Sequence, residues 1–152
     1  RLDLIRKHGA AKLLDAVNSV WVDVDRFHDY FDLWEEVWNF VVDLGETRLG
    51  VMDVEERAFF DALPDTLTIY RGFRGECGEH GWSWTLDREQ AEWFARRWSG
   101  GASMVATTIV PKIEVLAYFD SRNESEIVIH PNYLDCCAEI EIEALDEERQ
   151  AA

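Results

Sequence analysis

Apolar residues recur at steps of three and four through the first third of the chain: Leu14, Val17, Trp21, Val24, Phe27, Phe31, Trp34, Trp38 and Val41. That spacing predicts a wide apolar stripe on one or two helices. Asp25, Asp29, Asp32, Glu35 and Glu36 fall mostly off the stripe. Gly45 reads as a C-terminal stop. Asp53, with Glu56 three residues on, reads as a capping box that opens a third helix. This helix is expected to end before Pro64.

The period changes at Pro64. Thr66–Tyr70 is rich in β-branched and aromatic residues and predicts a strand. Gly72, Gly75, Gly78 and Gly81 make residues 72–81 a loop. Trp82–Leu86 reads as a short strand. Asp87, with Gln90 three residues on, caps a helix from Arg88 to about Trp98, which Gly100 and Gly101 break. Ser103–Val110, Ile113–Phe119, Glu126–His130 and Ala138–Ala144 read as four more strands. Helices first, then a strand-rich half with one intervening helix, predict the α+β class. The expected division is a helical N-terminal subdomain at 1–63, a core at 64–146 and a tail at 147–152. There is no internal repeat and no low-complexity segment.

A chain of 152 residues is long enough for one domain with a real core. Its net charge of −16 argues against DNA or RNA as an extended ligand. It would suit a basic protein partner, although a solubilising surface is the plainer reading. Cys77, Cys136 and Cys137 are too few for a disulfide framework, so a reducing, cytoplasmic setting is expected. No apolar run is long enough to predict a membrane span. No signal peptide is legible, and the start at Arg1 rather than Met leaves room for native residues ahead of it.

Three short segments carry candidate chemistry: Tyr70-Arg71-Gly72, Ser83-Trp84-Thr85 and Glu124-Ser125-Glu126. A guanidinium fork matches phosphate or carboxylate oxygens bidentately, and Gly72 lets a ligand come close to the backbone. In a strand, Ser83 and Thr85 share one face while Trp82 and Trp84 take the other. Glu124 and Glu126, two apart at a strand start, share a side opposite Ile127 and Ile129. Two carboxylates on one face repel unless they have cationic partners or work to do. Each segment alone has a plainer structural reading: a surface ion pair for Arg71, core tryptophans beside the serine, a solvated strand start for the glutamates. Cys77 and His80 with Cys136 and Cys137 fit no usual zinc spacing, so no metal is expected. His130 reads as a strand-end residue.

In this order the three segments resemble the Arg-Ser-Glu class of mono-ADP-ribosyltransferases of bacterial or phage type. There an arginine ends the first core strand, a Ser-x-Ser/Thr lies on the second, and a Glu-x-Glu or Gln-x-Glu begins a later one. Ala91-Glu92-Trp93-Phe94-Ala95 is similar to the helix after the serine strand. The resemblance covers about 66–144 and leaves the helical part unexplained. It implies an ADP-ribosyltransferase-like core, NAD as a consumed substrate and a target protein as acceptor, with arginine the first choice of side chain. It also implies a role as toxin or phage effector, with NAD hydrolysis as a variant of the same chemistry. The absence of a Gly-x-Gly-x-x-Gly fingerprint agrees with NAD not being a redox cofactor.

By the same resemblance, Arg71 holds the diphosphate and ribose side of NAD, and the Gly72 backbone takes the nicotinamide amide. Ser83 orients the ribose and the Glu126 carboxylate. Glu126 bonds the ribose 2′-hydroxyl and stabilises the sugar cation. Glu124 positions or deprotonates the acceptor. Trp84, Thr85 and Phe94 are further expected NAD contacts, and Trp84, Phe73 and Trp82 are candidates for stacking on nicotinamide. Trp84 stands where family members often carry Thr. From a different class comes a non-enzymatic acidic binder, a nucleic-acid mimic or inhibitor on a degenerate transferase scaffold.

Overall fold

Helices lead and strands follow, as the change of period at Pro64 predicts. The computed structural model describes residues 2–23, 31–76, 78–97 and 100–146. Val24, Asp25, Phe27, Asp29, Cys77, Trp98 and the tail at 147–152 lie outside the described residues. Helix α1 (Leu2–Asp23) bends at Gly9, and α2 (Phe31–Asp43) follows. Trp21 of α1 meets Trp34 and Trp38 of α2 edge-on, with ring centroids 4.8 and 5.1 Å away. Such pairs add about 0.5–1.5 kcal/mol each beyond their buried area. Gly45 adopts the left-handed φ of 62° that stops a helix. A 3-10 segment (Gly45–Val51), absent from the sequence reading, comes next.

Helix α3 (Val54–Ala62) opens on the expected capping box. Asp53 Oδ1 accepts from the Glu56 N–H at 2.8 Å, and the Asp53 N–H donates to Glu56 Oε1 at 3.0 Å. The other oxygen of Glu56 accepts from the Asp120 N–H at 2.8 Å. One buried carboxylate thus both caps a helix and ties it to the sheet.

Six strands form one antiparallel sheet in the order β4-β5-β2-β1-β3-β6, which fits the α+β class. They are β1 (Thr66–Arg74), β2 (Ser83–Thr85), β3 (Ser103–Pro111), β4 (Val115–Phe119), β5 (Glu126–Ile129) and β6 (Glu141–Ala144). Helix α4 (Arg88–Arg97) lies on β1, and α5 (Pro131–Cys137) joins β5 to β6. One apolar cluster runs through helices and sheet alike, from Leu14, Trp21, Trp38 and Val41 to Ile69, Trp84, Phe119, Ile127 and Ile129. Among the described residues no helix is long and apolar enough to cross a membrane.

Several elements differ from the sequence reading; the strand expected from Ile113 begins only at Val115, after a 3-10 turn at Lys112–Glu114. Strand β1 continues past Tyr70 to Arg74, pairing with β3 throughout, so Arg71 and Gly72 are inside a strand. Gly72 is there because α4 presses against it: a Cβ would overlap the Ala91 carbonyl. Helix α5 was not foreseen. His130 is its N-cap, Nδ1 accepting from the Asn132 N–H at 3.1 Å, and Pro131 supplies a preset φ at the first helical position. Consequently β6 is shorter than expected and starts at Glu141. Cys136 and Cys137 are joined as neighbours, a bond that closes no chain loop.

The sheet edges differ in character. All five residues of β4 are buried, with α3 and the 3-10 segment against it. All four residues of β6 are exposed.

Gly72→Ala should lower the unfolding free energy by about 2–3 kcal/mol in urea titration, the range of overpacking in a tight contact. A loss below about 0.5 kcal/mol would show that α4 yields there at little cost.

Candidate active site

Strands β2 and β5 are antiparallel neighbours, with Ser83 opposite Val128 and Thr85 opposite Glu126. Ser83 and Glu126 are therefore diagonal partners on one face. Ser83 Oγ donates to Glu126 Oε2 at 2.5 Å. The indole N–H of Trp21 donates to the same oxygen at 3.2 Å. Oε1 accepts no hydrogen bond among the described residues. Glu126 is only 5 % exposed. Burial pushes its carboxyl from an ordinary 4.5 up to about 7, against the opposing pull of the hydrogen bonds from Ser83 and Trp21. The charge of Glu124 pushes the same way as burial, and Arg122 opposes it.

Arg71 lies under the glycine-rich loop after β1. Its Nε donates to the Gly78 carbonyl at 2.7 Å, and Nη1 donates to the Ser83 carbonyl at 2.6 Å. A Cβ on Gly81 would collide with the guanidinium, so the loop closes this tightly only because glycine is there. Burial lowers Arg71 to about 10, partly offset by attraction to Glu126, and it stays charged at neutral pH. Its Nη2 makes no hydrogen bond among the described residues. Arg71 thus holds the backbone of Ser83, and the Ser83 side chain holds Glu126.

Glu124 is placed by a turn rather than by strand alternation. Asn123 and Ser125 have φ of 55° and 45°, left-handed values that L-residues adopt at a cost. The expected sharing of one strand side by Glu124 and Glu126 therefore does not apply; β5 begins only at Glu126. The Asn123 N–H donates to the Asp120 carbonyl at 3.0 Å, and three further bonds hold the turn. Thr85 Oγ1 donates to the Glu124 carbonyl at 2.7 Å. The Leu86 N–H donates to the Ser125 carbonyl at 3.1 Å, and the Ser125 N–H to Asp120 Oδ1 at 3.1 Å. The Glu124 carboxylate forms an ion pair with Arg122 at 3.8 Å. Beside the two glutamates is an open depression of about 160 Å³, lined by Val22, Phe119, Ser121, Arg122, Glu124 and Glu126. It is a shallow surface dip that is open to solvent, and it encloses no cavity.

The remaining expected contacts lie elsewhere. Trp84 is 2 % exposed in the core, opposite Ile127, and its indole N–H donates to the Gly81 carbonyl at 3.0 Å. Trp82 and Phe73 are core residues too, so none of the three stacking candidates presents an open ring. Thr85 is buried and braces the turn and the start of α4, accepting from the Asp87 N–H at 3.1 Å. Gly72 faces the α4 backbone. Phe94 is half-buried on α4 beside Trp93, with ring centroids 5.2 Å apart. Trp21 is the residue that sequence reasoning missed: its helical spacing marked it as core, and nothing local marked its partner. Among the described residues no group of three His, Cys, Asp or Glu side chains could hold a metal.

Comparison with known protein families, with curated proteins and with solved structures finds no match.

The raised affinity of Glu126 for its proton has a definite sign for stability. Its contribution is full below about pH 4.5 and is lost as pH rises through about 7. Glu126→Gln removes that dependence. Between about pH 5 and about pH 8 the stability of wild type should fall by about 2–3 kcal/mol relative to the variant. Parallel curves from denaturant titrations would contradict the buried, proton-retaining carboxyl.

Proposed function

We propose that this chain is an NAD-dependent mono-ADP-ribosyltransferase that modifies a protein side chain, arginine first, and releases nicotinamide. The observation that carries the reading is the linked set Arg71–Ser83–Glu126, with one oxygen of the buried carboxylate left without a partner. The order of the set along β1, β2 and β5 parallels that of the Arg-Ser-Glu transferases, which supports an ADP-ribosyltransferase-like core at 64–146.

The chemistry needs little from the protein beyond placed charge. When the nicotinamide–ribose bond breaks, positive charge develops on the sugar, and a fixed carboxylate beside it stabilises that charge. Glu126 Oε1 is the acceptor for the ribose 2′-hydroxyl, while Ser83 and Trp21 hold Oε2. Arg71 supplies a charged donor, Nη2, for diphosphate oxygens. Removal from water strengthens each of these interactions. Glu124 meets the acceptor. It already pairs with one guanidinium, that of Arg122, and an incoming arginine would pair with the same carboxylate. As that arginine's nitrogen bonds to the ribose carbon, Glu124 takes the proton it sheds. A chain of net charge −16 would steer toward basic target surfaces, in keeping with a toxin or phage effector acting on a protein.

The purified protein should release nicotinamide from NAD, with a rate that climbs with pH and levels off above about 7 as Glu126 ionises. Glu126→Gln should reduce release by about 10²–10³-fold or more. Glu124→Gln should keep hydrolysis of NAD and lose transfer to arginine-containing acceptors. Unchanged release in Glu126→Gln would overturn the assignment. No release from wild type, even with lysate supplying acceptors, would favour the acidic binder.

A further inference from the structure

The helical part contributes one polar atom to the site. Trp21 is fully buried and its indole is clamped between the edge contacts of Trp34 and Trp38. Its N–H reaches Glu126 across 105 positions of sequence. Val22, the next residue on α1, lines the depression beside both glutamates. A carboxylate held by one donor can still rotate about its terminal bond. Two donors on one oxygen, from β2 and from α1, fix its plane and leave the second oxygen without a hydrogen bond among the described residues.

We propose that Trp21 is a positioning residue for Glu126, so that α1 is an integral wall of the reactive site rather than an appendage. The indole N–H pins Oε2 and keeps Oε1 free for a substrate hydroxyl. Its catalytic consequence rests on the ADP-ribosyltransferase reading; the contact itself does not. A tryptophan suits the task because its rigid, apolar body excludes water while its single donor favours the ionised carboxylate. Other charged groups act on the same carboxylate: Arg71 from β1, and Arg122 and Glu124 from the turn before β5. Ser83 from β2 adds the second hydrogen bond. None of these changes when only the indole N–H is removed.

The test removes that N–H while keeping the ring. Two full-length variants serve: Trp21→Phe, and a substitution of Trp21 by β-(3-benzothienyl)alanine, which has the indole shape with sulfur in place of N–H. The Glu126 titration is read by carboxyl carbon NMR, assigned with Glu126→Gln. In both variants it should move to higher pH by about one unit, the size of a lost hydrogen bond to a charged group. Nicotinamide release near neutral pH should fall about fivefold through the smaller ionised fraction, with the acid limb displaced equally and KM for NAD unchanged. If Trp21→Phe does not fold, the sulfur isostere carries the measurement. An unmoved Glu126 titration in a folded variant would overturn the proposal. So would a lower KM with faster turnover, which would make Trp21 an obstruction to NAD. A displaced titration in a protein that releases no nicotinamide would uphold the contact and count against the transferase reading alone.

Discussion

A carboxylate taken out of water must be given donors or a proton, and around Glu126 the chain does some of each. The hydroxyl of Ser83 and the indole of Trp21 converge on one oxygen, yet burial still holds the proton to about neutrality. Much of the architecture is what this requires. Strand β2 must lie beside β5 in a register that sets Ser83 diagonal to Glu126, and α1 must cross close enough for an indole to reach. If either fails, the group is left unpaired in an apolar setting, a cost of several kcal/mol.

Support for that carboxylate continues outward in named steps. Arg71 is half-buried beneath a glycine-rich loop and bonds the carbonyls of Gly78 and Ser83, fixing the strand that carries the hydroxyl. On the other side the capping box of α3 does double duty. Glu56 caps the helix and accepts from Asp120, and Asp120 accepts from Ser125, the left-handed residue between the two glutamates. A local motif at residue 53 thereby braces a turn more than sixty residues away. Both arms of the site, the arginine and the acidic turn, are held by backbone groups rather than by long side chains alone.

Local signals were legible in the sequence and long-range ones were not. The capping box at Asp53 and the stop at Gly45 came out as read, because their bonds lie within a turn of the chain. Among the described residues of the stripe, Leu14, Val17, Trp21, Trp34, Trp38 and Val41 lie in the core, as do Trp82 and Trp84. The end of β1 was misread because Gly72 looks like a loop residue, while the demand for glycine comes from α4 packing on it. Helix α5 is only seven residues long, too short for periodicity, although His130 followed by Pro131 was a usable start signal. The left-handed turn at Ser125 had no glycine to announce it. The contact of Trp21 with Glu126 joins distant parts of the chain, and no pattern within α1 could have revealed it.

The two ends of the sheet bear on how this protein behaves in company. An open strand edge invites another chain to add to it, the first step toward swapped dimers or fibrils. Strand β4 is shielded by α3 and the 3-10 segment. Strand β6 is exposed among the described residues, but it is four residues long and carries Glu141 and Glu143, the latter held by Arg88 at 2.6 Å. A second copy docking there edge to edge would bring its own glutamates against these two with few backbone bonds to offset the repulsion. The acidity that looks like mere surface charge thus also acts as a guard against self-polymerisation at this sheet edge.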